Sequence, residues 1–471
     1  MARQVISTIL VCLLLVFPPA WREPLLLAAS AATDIAIPRP LIFNLENGLK
    51  VLFLERHQLP IVNIQLVLRA GAVADPPGKS GVAALTADLL TKGTLSRTAK
   101  QLAEAMDFMG GSFSTYCDED KSVVQLALLK RDLAVGLELF TDSLLQPLLA
   151  TEELARVREQ WTASLNSTLD DANAVLELAA NQNIYGTHPY SRLVHGTLSS
   201  LTRIESADLR AFYHKFYFPR NAFLVVVGDL TVAELRAALQ GGLGAWHGNG
   251  AGLALPALPE PQLSGRQVRL IDMEVNQSFI QLENVAIPRR HADFFPLLLM
   301  ANILGGGSLG RLYRDIRDKQ GLAYGAYSSL MPRLHTGKLT LELQTKVAST
   351  EQALKSLLGA MEDMRTSGPT DEELGHSKEY FTGSFALRLE ANSDLASQVV
   401  NQEFYELGDD YLTSYQSQVK AVTRQQVHEV ARRYLDPTRY ALTIVTKTTG
   451  LAGQLAKFGK VTEVERKSLI D

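Results

Sequence analysis

The 471-residue sequence is poor in cysteine and has no large excess of either charge. Its two cysteines, Cys12 and Cys117, exclude a disulfide framework and a cysteine-rich zinc module. The 46 basic and 50 acidic residues give a net charge of -4, which argues against a dedicated nucleic-acid binder, because such proteins carry a strong basic excess. Hydrophobic residues make up 46% of the chain, so it can bury large cores, and wholesale disorder is excluded. The length alone indicates about two to four domains.

The N-terminal segment has the pattern of an export signal. Arg3 is the only charged residue among the first 21, and an apolar run occupies residues 5–21. Small residues around Ala31 and Ala32 suit signal peptidase, so we predict a signal peptide over residues 1–32 and an exported protein, periplasmic or associated with the cell envelope. The alternative is an uncleaved membrane anchor. Cleavage is favoured because the run is short for a span of about 20 residues.

The middle of the chain has the composition of a linker. Residues 248–265 read GNGAGLALPALPEPQLSG, and this density of glycine and proline disfavours helix and sheet. The linker separates an N-terminal half, residues 33–247, from a C-terminal half, residues 266–471. The halves share local patterns at a near-constant offset, which indicates an internal duplication. For example, Glu-Glu-Leu occurs at 152–154 and again at 372–374, 220 residues later.

Each half begins with strands and continues with helices and further strands. Asn47-Gly48 is a typical hairpin signal between two apolar runs. Residues 61–69 predict a third strand, and residues 99–109 predict a helix that ends before two glycines. The pattern predicts an α+β fold with two similar halves, each a mostly antiparallel sheet covered by helices.

Several segments resemble a single family when they are taken in order. Residues 81–94 read GVAALTADLLTKGT, residues 188–192 read HPYSR, and residues 304–309 read LGGGSL. Their order and spacing resemble the pitrilysin/insulinase family of zinc metallopeptidases, in its processing-peptidase-like branch of two-half subunits. The resemblance covers nearly the whole mature chain. It implies a clamshell-like peptide chamber, in which the two halves face each other or face a partner.

The zinc motif of that family is missing from this chain. The family's H-x-x-E-H motif places two histidines four residues apart on one helix face, and the matching positions here are Ala84 and Asp88. The glutamate of the motif falls at Ala87, and the downstream glutamate ligand falls near Ser164. A catalytic zinc needs three protein ligands and an open position. We therefore predict that this chain holds no metal or other cofactor and is inactive alone.

Other catalytic chemistry has little support in the sequence. None of the nine histidines are three or four residues apart, as a metal-binding pair on a helix requires. His188 and His195 flank a Pro-Tyr turn, where ordinary hydrogen bonding is the simpler interpretation. Cys117 has no adjacent basic residue to activate it as a nucleophile. A metal-independent hydrolase is therefore the least favoured function.

The second half keeps a residue pair to which the resemblance gives a role. Residues 309–319 have the apolar spacing of a helix that ends at a glycine. In the family, an arginine and a tyrosine seven residues apart around this helix-to-strand turn hold the substrate, and Arg317 and Tyr324 match that pair. In two-subunit members the pair can come from the subunit that lacks zinc. The alternative is a surface arginine beside Asp315 and Asp318 and a tyrosine that serves only the sheet.

These features together predict a zinc-less, substrate-binding subunit of an exported heterodimeric metallopeptidase that degrades or processes peptides. A second subunit of the same family would carry the zinc and the general base, and the substrate would be a peptide or an unfolded protein. The alternative is a stand-alone peptide-binding or scaffold protein without a catalytic partner. An intact zinc subunit that co-purifies with the chain would discriminate between the two.

Overall fold

The computed structural model describes residues 39–248 and 258–471. The predicted signal peptide, residues 1–32, lies outside the described residues, and so does the middle of the predicted linker. Within the described ranges, no helix has both the length and the apolar character needed to cross a membrane.

The first half, over residues 39–248, alternates strands and helices in the predicted order. Its strands are β1 (Leu41–Asn44), β2 (Lys50–Glu55), β3 (Ile61–Leu68), β4 (Ser112–Cys117), β5 (Ser122–Leu129) and β6 (Ala222–Gly228). Its helices are α1 (Val82–Leu89), α2 (Ala99–Met109), α3 (Leu133–Leu145), α4 (Thr151–Thr168), α5 (Ala172–Tyr185), α6 (Leu198–Arg203), α7 (Ser206–Phe216) and α8 (Val232–Gln240).

The second half, over residues 258–471, follows a similar plan. Its strands are β7 (Arg266–Asp272), β8 (Gln277–Ala286), β9 (Ala323–Pro332), β10 (Gly337–Lys346), β11 (Tyr440–Thr446) and β12 (Lys460–Glu463). Its helices are α9 (Phe294–Gly305), α10 (Thr350–Ser367), α11 (Asp371–Leu387), α12 (Asn392–Phe404), α13 (Tyr411–Ala421), α14 (Arg424–Tyr434) and α15 (Ala452–Leu455). A π-helix, Tyr313–Lys319, precedes β9.

Each half forms a six-stranded sheet, with strand orders β1-β2-β6-β3-β5-β4 and β12-β7-β11-β8-β10-β9. Five strands follow the same order in both sheets, since β2-β6-β3-β5-β4 matches β7-β11-β8-β10-β9. β2 runs parallel to β6, and β7 runs parallel to β11 and β12, while the other neighbouring strands are antiparallel. The predicted α+β fold with two similar, mostly antiparallel sheets is confirmed, and the shared strand order supports the duplication.

The interior strands of both sheets have sequences that are apolar nearly throughout. β6 reads AFLVVVG and β11 reads YALTIVT, and every residue of the two strands is buried. A continuous apolar run is typical of a strand that is covered on both faces, whereas a strand with one solvated face alternates. The sequence of these strands therefore requires helices on both sides of each sheet.

One of the covering helices in each half comes from the other half. α5 packs against β8 and β11 of the second sheet, and α12 packs against β3 and β6 of the first sheet. On α5, Asn183 Nδ2 donates a hydrogen bond to the carbonyl oxygen of Leu442 at 3.1 Å. An ion pair of 2.7 Å between Lys50 Nζ and a carboxylate oxygen of Glu403 connects β2 to α12. The exchange is reciprocal and joins the two sheets into one unit.

The predicted helix over residues 309–319 differs in kind from the observed element. Residues Tyr313–Lys319 form a π-helix instead of continuing an α-helix. Gly321 follows with φ at 64°, which is the left-handed conformation that glycine adopts without strain, so the predicted stop is in place. π-Helices are rare, and they are frequent at functional sites, which directs attention to the side chains of this segment.

Candidate functional site

The helix that corresponds to the family's zinc helix is α1, and its first turn is held by a buried carboxylate. The two carboxylate oxygens of Asp75 accept hydrogen bonds from the backbone N–H groups of Gly81 and Ala83, each at 2.7 Å. Burial raises the pKa of Asp75 to about 7, against the lowering effect of these two hydrogen bonds. Ala84 and Ala87 are both buried in the core behind this turn. α1 is therefore fixed by packing and capping without a metal.

The residues at the four positions of the zinc site do not fit a zinc ion. Asp88 is half-buried and forms an ion pair of 3.4 Å with Lys92, one turn further along. Ser164 is exposed on α4, and Ala84 and Ala87 offer no ligand atom. Zinc needs three protein ligands, and this set supplies one carboxylate. Across residues 39–248 and 258–471, no group of three or more His, Cys, Asp or Glu side chains is placed to hold a metal ion.

An aromatic pair lies beside this degenerate site, and the sequence did not predict it. The imidazole of His195 meets the Trp161 ring edge-on, with ring centroids 4.6 Å apart, and Trp161 lies one turn before Ser164 on α4. Burial lowers the pKa of His195, and the nearby Asp88 carboxylate partly opposes this shift. These residues are 34 positions apart in the chain, so no local spacing could reveal the pair.

The predicted substrate-binding pair is assembled in the second half. The Arg317 guanidinium carbon lies 4.6 Å from the ring centroid of Tyr313 and 5.3 Å from that of Tyr324. Such cation–π contacts orient a guanidinium and leave its N–H donors available. Tyr324 is 81% exposed at the start of β9, which is an edge strand of the second sheet. The structure thus brings the two residues together on an accessible surface.

The alternative role for Arg317, in surface ion pairs, does not match the observed contacts. Asp315 pairs with Lys319 at 2.6 Å. Within the described parts of the chain, Arg317 forms no salt bridge with any acidic residue, including Asp318. Its neighbour Arg314 behaves differently, because it reaches a carboxylate oxygen of Glu373 at 3.1 Å. Arg317 is therefore a half-buried cation positioned by aromatic rings.

A cavity of about 190 Å³ adjoins Tyr324 and spans the junction of the two halves. Its lining comes from α5 of the first half and from β8, β9 and β10 of the second half, namely Asn173, Leu176, Ile280, Tyr324, Gly325, Tyr327, Glu342, Leu343 and Gln344. A Cβ atom on Gly325 would lie 2.7 Å from the Tyr327 hydroxyl, so only glycine lets that ring fold back along β9. The cavity is of the size of one side chain and opens beside the Arg317–Tyr324 pair.

A buried charge cluster beneath the cavity attaches α5 to the second sheet. Lys338 Nζ lies 2.8 Å from Glu283 Oε1 and 3.1 Å from Glu177 Oε1, and it donates to Asn181 Oδ1 at 2.8 Å. Lys338 is 1% exposed and Glu283 is fully buried. Burial alone would lower the pKa of Lys338, but the two carboxylates raise it, so the ammonium stays charged. Partial desolvation raises the pKa of Glu342 in the cavity wall, and the nearby Glu177 carboxylate adds to the shift.

The run of three glycines at 305–307 has a structural explanation. A Cβ atom on Gly305 would lie 2.4 Å from the backbone nitrogen of Ser328, and one on Gly310 would lie 2.7 Å from the Cα of Gly305. The end of α9 therefore packs directly against the backbone of β9. Close packing of the backbone explains the glycines, and it places the π-helix beside β9.

Comparisons with known proteins agree with this architecture. The model of the family "Insulinase (Peptidase family M16)" matches residues 50–198, and the model "Peptidase M16 inactive domain" matches residues 203–381. The chain belongs to the insulinase family, peptidase family M16. The resemblance inferred from the sequence is confirmed.

The relatives in this family are named as proteases. An uncharacterized zinc protease of Bacillus subtilis, YmxG, is 22% identical over 406 residues, which cover 86% of this chain and 97% of the relative. An uncharacterized zinc protease of Rickettsia felis is 24% identical over 373 residues, covering 79% of this chain and 87% of the relative. At the positions matched to the family's zinc ligands this chain carries Ala84, Asp88 and Ser164, of which Asp88 alone has a carboxylate.

Two solved structures share the fold. The peptidase M16 inactive domain from Pseudomonas fluorescens superposes with a TM-score of 0.80 at 28% identity, covering 86% of this chain and 98% of that one. A protease from Helicobacter pylori superposes with a TM-score of 0.79 at 20% identity, covering 87% of this chain and all of that one. Both similarities extend over the two halves, so the arrangement of two sheets is that of the M16 fold.

Proposed function

We propose that this chain is the zinc-less, substrate-binding subunit of an exported heterodimeric M16 peptidase. The observation that carries the proposal is a contrast between the halves. The zinc positions hold only one ligand-forming side chain, Asp88, whereas Arg317 and Tyr324 in the second half are accessible and positioned together. The metal and the general base would come from a partner subunit of the same family with an intact H-x-x-E-H motif.

In this role, Arg317 and Tyr324 act on a peptide held beside the 190 Å³ cavity. The guanidinium of Arg317 offers forked N–H donors to a substrate carbonyl, and Tyr313 and Tyr324 fix its direction in advance. The hydroxyl of Tyr324 donates to the oxygen on which negative charge develops. Donors that are already in place stabilise this charge without the cost of reorganisation.

The first test is the identity and activity of the complex. A tagged chain purified from envelope extract is expected to bring with it an M16 subunit that has an intact H-x-x-E-H motif, with an unrelated exported protein as the control bait. The two subunits, purified separately and mixed, should form a heterodimer by light scattering and cleave a denatured protein that neither cleaves alone. A stable interface of this kind buries more than about 1,000 Å² in total. Separate monomers and no gain of activity would refute the proposal.

The stand-alone peptide-binding alternative gives a different pattern in the same experiment. The cavity beside Tyr324 is formed without any partner, so peptides could bind to the isolated chain. In that case peptide binding would depend on Arg317 although no zinc-bearing subunit co-purifies. The metal-independent hydrolase has less support, because burial raises the pKa of Cys117 far above its usual range and keeps the thiol protonated.

A further inference from the structure

One carboxylate, that of Glu342 on β10, belongs to the lining of the 190 Å³ cavity at the junction of the halves. Among the described residues that form this lining there is no lysine, arginine or histidine. The apolar part of the wall consists of Leu176 on α5, Ile280 on β8 and Leu343 on β10. The cavity therefore joins an apolar wall to one negative charge that no cation in the lining balances.

The carboxylate of Glu342 also lacks a partner outside the lining. It forms no ion pair or hydrogen bond with any residue in the ranges 39–248 and 258–471. The two amides of the wall are bonded to each other, since Gln344 Nε2 donates to Asn173 Oδ1 at 2.8 Å. The ammonium of Lys338, in the cluster beneath the cavity, is held by two other carboxylates at 2.8 and 3.1 Å. Glu342 therefore remains available to a ligand.

Negative charge is in excess around this cavity. In the cluster beneath it, the single ammonium of Lys338 contacts the carboxylates of both Glu283 and Glu177. Partial desolvation raises the pKa of Glu342, and the Glu177 carboxylate adds to the shift against the lowering effect of Lys338. The surroundings thus destabilise the ionised form of Glu342, and a cation bound next to it would stabilise that form.

A tyrosine ring adjoins the same position. Glu342 lies directly opposite Tyr327 of β9 in the sheet, so the two side chains share one face. Tyr327 also lines the cavity, because Gly325 lets its ring fold back along β9. Carboxylates form charge-assisted hydrogen bonds with cations, and aromatic rings attract cations at their faces. The position thus offers two groups that favour the same kind of ligand.

We propose that the cavity binds the side chain of a lysine or arginine residue of the peptide, with the cationic group on Glu342 and the methylene stem against the apolar wall. Long basic side chains suit such a site, because their stems pack on apolar surface while the charged end reaches a polar partner. An acidic side chain is repelled by Glu342. The inference rests on the proposed function, in which Arg317 and Tyr324 hold a peptide beside this cavity, and it adds a basic residue to that peptide.

The test is titration of the isolated chain with capped peptides, followed by fluorescence anisotropy. The peptides are N-acetylated and C-amidated, carry a neutral fluorophore and differ in one central residue, which is lysine, norleucine or glutamate. Norleucine keeps the stem of lysine and lacks its charge. The lysine peptide is expected to bind at least about fivefold more tightly than the norleucine peptide, and the glutamate peptide should bind more weakly than both. Added salt should reduce the preference for lysine, because it screens the ion pair.

The decisive variant is Glu342→Gln, which removes the charge and keeps the size of the side chain. It should lower the affinity of the lysine peptide to that of the norleucine peptide and leave the norleucine peptide unchanged. Glu463→Gln is the matched control, at an exposed position of β12 at the opposite edge of the same sheet, and it should keep the full preference. In a complex reconstituted with a zinc-bearing subunit, Glu342→Gln should lower kcat/KM for the lysine substrate alone.

The titration needs no partner, so its outcome is separate from that of the proposed function. A chain that brings down no zinc-bearing subunit can still show the preference for lysine. Equal binding of the lysine and norleucine peptides would overturn the proposal, and so would a preference that survives Glu342→Gln. Tighter binding of the norleucine peptide would assign the cavity to an apolar side chain, and no saturable binding of any peptide would exclude it as a side-chain site. Unchanged thermal melting of Glu342→Gln confirms that a lost preference is not a loss of fold.

Discussion

The guanidinium carbon of Arg317 lies 5.3 Å from the ring centroid of Tyr324, and the same guanidinium lies 4.6 Å from Tyr313 on its own helix. This arrangement depends on the π-helix, because the wider turn sets the directions of Tyr313 and Arg317 relative to β9. Arg317 has aromatic neighbours instead of a carboxylate partner among the described residues. Its N–H donors therefore remain available for a ligand, which has consequences that can be measured.

Arg317→Ala and Tyr324→Phe should each reduce the peptidase activity of the reconstituted complex. Removal of one preorganised donor to a developing oxyanion typically lowers the rate about 10²–10³-fold. Thermal melting should be nearly unchanged, because Tyr324 is 81% exposed and Arg317 forms no ion pair within the described ranges. Steady-state cleavage of a quenched peptide, with melting curves recorded on the same samples, measures both quantities.

The matched control for this experiment is Arg314→Ala in the same π-helix. Arg314 pairs with Glu373 at 3.1 Å and is largely exposed, so its removal should cost about 0–1 kcal/mol of stability and no activity. Full turnover in both the Arg317 and the Tyr324 variants would show that the chain contributes no catalytic group. The scaffold alternative would then replace the proposed function.

The isolated chain should retain no stoichiometric zinc after exposure to the metal and dialysis. The reason is that Ala84 and Ala87 are buried alkyl groups and Ser164 points into solvent, which leaves Asp88 as one ligand. Elemental analysis is expected to find far less than one zinc per chain, in the wild type and in Asp88→Asn alike. About one tightly bound zinc per chain would mean that a complete ligand set exists.

Much of the fold follows from local sequence patterns. The apolar runs of β6 and β11 specify covered strands, and Asn47-Gly48 specifies the first hairpin, in which Gly48 has φ at 87°. Two other features were not predictable from such patterns. The apolar residues of α5, such as Val175, Leu176 and Ala179, require burial, but the sequence does not say in which half their partner lies. The exchange with α12 is therefore a property of the tertiary structure.

The candidate site was also predictable only in part, because local spacing is visible in the sequence and tertiary contacts are not. The family's spacing identified Arg317 and Tyr324, and the geometry places them together. Tyr313 lies in the segment 309–319, for which the sequence predicted only a helix with an apolar face, because a π-helix that packs against β9 leaves no local pattern. His195 and Trp161 meet because the loop after the Pro-Tyr turn packs against the start of α1. A Cβ atom on Gly81, which precedes α1, would lie 3.1 Å from the carbonyl oxygen of His195.

The chain should lose stability as the pH falls from about 6.5 towards 4, in part through His188. This side chain is buried, and its Nδ1 accepts a hydrogen bond from the backbone N–H of Tyr190 at 3.1 Å. Burial, together with the neighbouring His335 and Arg333, lowers the pKa of His188 to about 4. The unfolded chain, in which histidine has a pKa near 6.5, binds more protons in this window, so acid favours unfolding.

The variant that tests this is His188→Asn, which keeps an acceptor for the Tyr190 N–H and removes the titrating group. Urea unfolding at several pH values should show a smaller acid loss for His188→Asn than for the wild type, and exposed His214→Asn should match the wild type. The difference in acid-dependent stability loss between the wild type and His188→Asn measures the contribution of His188 separately from that of Asp75. The raised pKa of Asp75 acts in the opposite direction, because its contribution to stability falls as the pH rises from about 4 to about 7. Equal slopes in all three proteins would exclude the role of His188.

The junction of the halves should depend on charge balance in the cluster of Lys338, Glu283 and Glu177. Lys338→Met removes the only cation that contacts fully buried Glu283 in the described structure, and loss of one partner of a buried ion pair typically costs about 3–5 kcal/mol. The second variant, Lys338→Met with Glu283→Gln, leaves no uncompensated buried charge and should recover most of that loss.

Lys346→Met, at an exposed position of the same strand, is the matched control and should change little. Urea unfolding of the four proteins measures the free energies. If the single and double variants were equally unstable, the loss would come from the shape of the lysine side chain, and the charge cluster would not be what attaches α5 to the second sheet.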